Sequence, residues 1–151
     1  MTLKIRDAAA SDEQAWRRLW AGYLAFYHVD VAQEVTDRTW RRILDPASAM
    51  AMRVAEKDGE LAGFAIHLAH PSTWEINDDC YLEDLYLDER FRGEGLGRAL
   101  MDDLVALCKE RGWSRLYWHT DENNKRARKL YDSYVVADGH VRYRMKFRHG
   151  G

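Results

Sequence analysis

Three glycines at alternate positions, Gly93, Gly95 and Gly97, separate a run with strand character from a run with helix character. Upstream, residues 80–87 alternate as a strand does. Downstream, Leu96, Leu100, Leu104 and Leu107 mark one face of a helix that ends near Arg111, where Gly112 offers a left-handed cap. A further strand over residues 114–119 completes a strand-helix-strand unit, whose crossover obliges its two strands to lie parallel. Glycines let a backbone approach a ligand closely. At the mouth of a helix they aim several N–H groups and the positive end of the helix dipole at one point, which suits a phosphate or pyrophosphate. Two phosphate-binding patterns are excluded by spacing. The dinucleotide fingerprint would need its last glycine where Arg98 or Leu100 stands, and no Gly-Lys-Ser/Thr follows for a Walker loop.

The rest of the chain frames this unit. Residues 3–6 predict a short first strand, and Ser11 followed by Gln14 reads as a capping box at a helix start. Trp16, Leu19, Trp20, Tyr23 and Phe26 or Tyr27 follow at helical spacing, an aromatic face that either packs in the core or partly lines a substrate pocket. A second short helix over residues 35–44 stops at Asp45-Pro46, because the residue before proline avoids helical geometry. Residues 50–56 and 61–68 flank Asp58-Gly59, a pair suited to a two-residue hairpin turn. Residues 123–133 predict a helix and residues 139–147 a final alternating strand. With no linker or repeat, the expectation is one domain over residues 1–151, with 148–151 as a flexible tail. Its class is α/β (α+β): a mixed sheet with antiparallel N-terminal strands and a parallel central pair, flanked by helices.

Composition narrows the function classes. With 46% hydrophobic residues in 151, the chain buries a core without metals or disulfides. A net charge of -2 excludes a general polyanion binder, although residues 121–151 hold eight Lys/Arg against four Asp/Glu, leaving room for a local anion site. No apolar run approaches the roughly 20 residues that span a bilayer, and residues 1–6 lack a signal-peptide pattern, so no membrane association and a cytoplasmic location are expected. Cys80 and Cys108 are too few and too far apart for a zinc ribbon or disulfide framework and read as reduced packing residues. His67 and His70 point to opposite faces of a strand, so no metal site is expected.

Arg92-x-x-Gly95-x-Gly97, after a strand and before an amphipathic helix, resembles the acetyl-CoA pyrophosphate loop of the GNAT superfamily of N-acetyltransferases. Asn124, Ala127 and Tyr131 fall at that family's N-x-x-A-x-x-x-Y spacing on the helix after the next strand. Residues 117–124, with Leu130-Tyr131 and Leu82-Glu83-Asp84-Leu85, are similar to small fungal and bacterial members described as histone, polyamine or D-amino-acid acetyltransferases. The Leu-Glu-Asp triplet also resembles the diamine branch. The matching region covers about residues 80–147. It departs from the family where Tyr134-Val135-Val136-Ala137-Asp138-Gly139 replaces the usual Gly-Phe pair, so the acceptor side near the last strand is not carried over.

The resemblance implies acetyl-CoA as cosubstrate, held by Leu85, Tyr86, Leu87, Arg92, Gly93, Glu94, Gly95, Leu96, Gly97, Arg98, Asn124 and Tyr131. The N–H of Leu85 would face the thioester oxygen and Leu87 would hold the pantetheine amide. Tyr131 would be the general acid toward the departing sulfur, a packed helix tyrosine being the other reading. Asn124 would hold cofactor amides or orient the helix, or serve as a plain N-cap. Strict alternation places Tyr81, Glu83 and Leu85 on one face of the strand and Leu82, Asp84 and Tyr86 on the other. A mid-strand carboxylate at Glu83 is costly unless used or paired. It matches the base of the diamine branch, and a buried salt bridge or a simple attraction for cationic substrate are the alternatives. Arg92 and Arg98 are expected on phosphates, whereas Lys125, Arg126, Arg128 and Lys129 read as a solvated helix face that could reach the adenosine 3'-phosphate.

The function expected is direct transfer of an acetyl group to a primary amine of a small molecule, such as a polyamine or amino acid, or to a lysine side chain. No convincing nucleophile for a covalent intermediate is present. Acidic residues over 74–84 favour a cationic acceptor, and Trp74 could contact it. The resemblance implies a homodimer. The alternative is a non-catalytic acyl-CoA-binding sensor, while a nucleic-acid partner has only the alternation Arg142-Tyr143-Arg144 behind it and is not expected.

Overall fold

The structure, a computed structural model, describes residues 2–148. The chain divides into two compact units, Met1–His119 and Thr120–Gly151.

The first unit is built on a five-stranded sheet in the order β1-β2-β3-β4-β5. β1 (Leu3–Asp7), β2 (Met50–Lys57), β3 (Glu60–His70) and β4 (Asp79–Leu87) run antiparallel to their neighbours, while β5 (Arg115–Trp118) is parallel to β4. The hairpin forms where Asp58-Gly59 was expected to turn, with φ of 51° and 82° at its two corners. β3 and β4 approach closely at Gly63, which pairs with Leu87: a Cβ there would lie 2.7 Å from the Tyr86 carbonyl oxygen.

α1 (Glu13–Phe26) and α2 (Gln33–Leu44) carry the core of one sheet face. Trp16 stacks between Trp20 and Trp40, with ring centroids 5.3 Å from each, and Phe64 of β3 closes the cluster at 6.4 Å. The start of α1 differs from the capping box expected at Ser11 and Gln14. A single 3-10 turn, Ala10–Asp12, precedes the helix, and the Asp12 carboxylate accepts the Ala9 N–H at 2.7 Å. Arg6 of β1 holds that carboxylate with two bonds of 2.8 and 2.9 Å, so an ion pair outcompetes the neutral hydroxyl cap. α3 (Leu96–Arg111) buries Leu96, Leu100, Met101 and Leu104, and ends at Gly112 as expected. Cys80 of β4 and Cys108 of α3 are both buried.

The second unit contains α4 (Lys125–Asp132), shorter than the expected helix over residues 123–133. Residues 135–148 hold no regular secondary structure, which corrects the strand expected over 139–147. A strand needs a neighbour to satisfy its N–H and C=O groups, and the described residues of this unit offer none. Val141, Tyr143, Met145 and Phe147 are all strongly exposed. The parallel β4–β5 pair consequently closes the sheet at its end instead of its centre. Of the expected tail, residues 149–151 lie outside the described residues. No helix among the described residues is long and apolar enough to cross a membrane.

Candidate active site

β4 is paired on both sides over only part of its length. β5 covers Asp79 to Leu82 and stops there, whereas β3 accompanies β4 to Leu87. Between these two regimes the β3–β4 register shifts: Ile66 faces Asp84 while His67 faces Leu82, leaving Glu83 as the extra residue of a β-bulge. The bulge overturns the alternation expected along this strand. Cys80 packs against Cys108 of α3, so strict period two would send Asp84 and Tyr86 to α3 as well. Both instead lie against α1. The Tyr23 hydroxyl donates to Asp84 Oδ1 at 2.6 Å, and the Tyr23 and Tyr86 rings meet edge to face at 5.7 Å. Glu83 is exposed, not buried, and the desolvated carboxylate is Asp84, whose pKa burial raises to about 6. Two adjacent carboxylates thus emerge beside the half of β4 that β5 does not cover.

From this half the chain passes through a 3-10 turn, Glu89–Phe91, into the glycine turn. Asp88 caps it by accepting the Arg90 N–H at 3.0 Å. Gly93 and Gly95 adopt φ of 81° and 79°, the left-handed region that only glycine enters cheaply. Gly97, expected to share this role, lies inside α3 with Gly95 as the N-cap. The first helical bond runs from the Ala99 N–H to the Gly95 carbonyl at 3.0 Å, so the N–H groups of Leu96 and Gly97 precede the ladder. Nothing lies within 4 Å of where a Cβ would stand on Gly93 or Gly95, which leaves the turn open to an incoming chain of phosphates. The turn is tethered nonetheless. Glu94 pairs with the buried Lys57 at the end of β2, Arg90 reaches Glu60 at 2.6 Å, and Leu96 is buried in the core. The Glu94 carboxylate is therefore engaged with a protein cation, and only its backbone is available to an anion. Arg92 sits over the Phe26 ring at 5.4 Å, and Arg98 is exposed on the first turn of α3.

In the second unit Asn124 is the N-cap of α4, its Oδ1 accepting the Ala127 N–H at 3.2 Å. Tyr131 lies half-buried on the same helix, while Lys125, Arg126 and Lys129 are exposed, as a solvated face would be. The Arg128 guanidinium donates to the Glu122 carbonyl at 3.0 Å.

Two residues of this neighbourhood escaped the sequence pattern. Tyr23 reads as one more ring in an aromatic stripe, and Asp84 as a companion of Leu82. Their pairing depends on the bulge, which leaves no mark on the alternation of residues 80–87. Trp74 is strongly exposed in its loop. His67 packs 5.9 Å from the Trp113 ring, with burial lowering its pKa to about 4, and His70 contacts the Tyr117 hydroxyl at 2.6 Å through Nε2. Among the described residues no group of three or more His, Cys, Asp or Glu is arranged to hold a metal ion.

A sheet edge left open beyond β5 and running into a helix start with free N–H groups suits an extended, phosphate-bearing ligand. Residues 13–134 match the Acetyltransferase (GNAT) family, and the chain belongs to that family. It is 34% identical over 142 residues to the D-amino-acid N-acetyltransferase HPA3 of Saccharomyces cerevisiae, covering 93% of this chain and 88% of the relative. It is 32% identical over 80 residues to the spermine/spermidine N(1)-acetyltransferase of Bacillus subtilis, covering 51% and 53%. The crystal structure of a ribosomal-protein-alanine N-acetyltransferase from Brucella melitensis biovar Abortus 2308 superposes with a TM-score of 0.77 at 26% identity, covering 97% of this chain and all of that one.

Proposed function

We propose that this chain is an acetyl-CoA-dependent N-acetyltransferase whose acceptor is a primary amine carried by a small cationic molecule, a polyamine or an amino acid, or by a lysine side chain. The observation that carries it is the left-handed pair Gly93 and Gly95 opening α3 directly beyond the uncovered half of β4. The backbone of residues 92–98 holds the pyrophosphate, with Arg92 and Arg98 adding charge. Leu85, Tyr86 and Leu87 line the edge that takes the pantetheine as an added strand. The N–H of Leu85 polarises the thioester carbonyl, a contribution of about 3 kcal/mol for one well-placed donor. The family match, which runs through Asn124 and Tyr131, supports donor-binding roles for both. The match of the family over residues 13–134 supports treating the whole chain as one acetyltransferase domain.

An acceptor amine of pKa about 10.4 is mostly protonated at pH 7, and its neutral form costs about 4.6 kcal/mol, so a proton acceptor must stand near it. Glu83, exposed at the bulge where it can exchange with water, serves as base by carrying that proton away from the site. Tyr131 protonates the departing thiolate, a step uphill by about 2 kcal/mol before transition-state hydrogen bonding. Names of relatives that act on D-amino acids and on spermine or spermidine support a small amine acceptor. The exposed, alternating residues 139–147 support a homodimer, in which a second copy covers Val141, Tyr143, Met145 and Phe147. The location proposed is the cytoplasm.

Release of coenzyme A, followed with a thiol reagent across spermidine, L-lysine, D-alanine and a basic peptide, tests this function. Turnover with at least one amine is expected. Calorimetry showing tight binding of coenzyme A with no turnover would assign the chain to acyl-CoA sensing, and indifference to coenzyme A would end both assignments. Tyr131→Phe is expected to lower kcat at least tenfold, more than it lowers acetyl-CoA affinity; equal kcat would remove Tyr131 from the chemistry.

A further inference from the structure

Among the described residues, the carboxylates taken out of water are each matched to an arginine, with one exception. Asp12 is held by Arg6, Asp79 by Arg115 and Asp103 by Arg53. Asp84 is held by the neutral hydroxyl of Tyr23 alone, at Oδ1, and no cation pairs with it among the described residues. The Tyr23 ring that holds it packs in turn against Tyr86 and Phe64, with centroids 5.7 and 6.1 Å away. A desolvated carboxylate without a cation is costly, and the fold goes to some length to place one here, since only the bulge at Glu83 turns Asp84 away from α3.

We propose that Asp84 is the first proton acceptor for the acceptor amine, with Tyr23 as the residue that positions it; this rests on the acetyl-transfer function above and refines its acceptor side. The ammonium docks on Oδ2, the oxygen that Tyr23 does not hold. Its N–H bond breaks, an O–H bond forms on Oδ2, and the electron pair left on nitrogen attacks the thioester carbon. As the C–S bond breaks, the amide nitrogen loses its second proton and the thiolate gains one. Asp84 returns its proton through the adjacent, exposed Glu83 to water, for a net release of one proton per transfer. The acceptor class that fits is an amine that arrives protonated, with apolar carbon next to the nitrogen, since the residue holding Asp84 belongs to a cluster of rings.

The groups that set the charge of Asp84 are few. Burial raises its pKa to about 6, the Tyr23 hydrogen bond pulls it down, and the charge of Glu83 pushes it up. From α1, Tyr23 faces it directly and Tyr27 acts on Tyr23. From β3, the facing residue is Ile66, which carries no charge. On β4, Tyr86 is the other titratable neighbour, and Arg92 acts on Tyr86.

The test is the pH profile of kcat/KM for the best amine of the panel above. The wild-type protein is expected to lose activity below about pH 6. Asp84→Asn should lower kcat/KM for the amine about 100-fold at pH 7.5 and abolish that acid limb, with acetyl-CoA affinity unchanged. Tyr23→Phe removes the bond that favours the carboxylate, so the acid limb should move to higher pH, and this holds as a test even if Asp84→Asn fails to fold. An acid limb that is the same in the wild type and in Tyr23→Phe, or that survives in Asp84→Asn, overturns the role of Asp84 while leaving acetyl transfer standing. Absence of turnover with every amine overturns both.

Discussion

Asp79 and Asp84 occupy the same strand five residues apart, and although burial pushes both pKa values up, their partners leave them shifted in opposite directions. Asp79 lies where β4 is paired on both sides, and Arg115 of β5 grips it with bonds of 3.0, 3.0 and 2.7 Å. That grip holds its pKa below the usual carboxylate value. Asp84 lies beyond the end of β5, with a hydroxyl for a partner and a raised pKa. The first arrangement fastens two strands together. The second keeps a carboxylate poised to change its charge. Where a neighbouring strand is present the buried charge is matched across it, and where the neighbour ends the carboxylate keeps only a hydroxyl partner.

The contrast can be broken at several points. The largest effect is expected from Glu83→Gln, on the uncovered half, which should reduce turnover about 100-fold while the melting temperature stays unchanged. A comparable loss of stability with little loss of rate would place Glu83 in structure and erase the difference between the two halves. Next comes the pH dependence of stability, where the two aspartates carry opposite signs. The folded pKa of Asp84 stands near 6 against 3.8 for the ordinary carboxylate, so the unfolded chain releases this proton first as pH rises. Stability should therefore fall between about pH 4 and pH 6, by up to about 3 kcal/mol, and Asp84→Asn should remove that fall. Asp79 has a depressed pKa, so its contribution is present above about pH 4 and is lost below it. Urea titrations across this range read both. A smaller effect is expected from Asp79→Asn, which should lower the melting temperature by several degrees and leave kcat unchanged at temperatures where the protein is folded. Loss of kcat in that variant would show that the paired end also serves the reaction.

Much of this molecule was legible in its residues. Asp58-Gly59 announced the hairpin because few other pairs tolerate two left-handed corners, and Gly112 announced the end of α3 for a related reason. The glycine turn could be located, and its Arg92, Gly93 and Gly95 stand at the helix start as expected. The bulge could not be read. One extra residue in Tyr81-Leu82-Glu83-Asp84-Leu85-Tyr86 leaves the polar and apolar letters in a plausible order, so alternation assigned burial to Glu83 when it belongs to Asp84. The entry into α1 was misread because Arg6, distant from the helix in pattern though near in space, claims Asp12. Residues 139–147 alternate as a strand should, but alternation records only a capacity to pair, and the partner has to come from somewhere else in space.

The close approach at Gly63 has a practical corollary for anyone wishing to redesign the substrate range of this protein. Any bulkier residue at that position would wedge the backbone at Tyr86 and Leu87 outward, since its first side-chain carbon would meet main-chain oxygen at 2.7 Å. Randomised libraries should hold Gly63 constant and explore Trp74 instead, whose side chain is strongly exposed and leaves the β3–β4 backbone untouched.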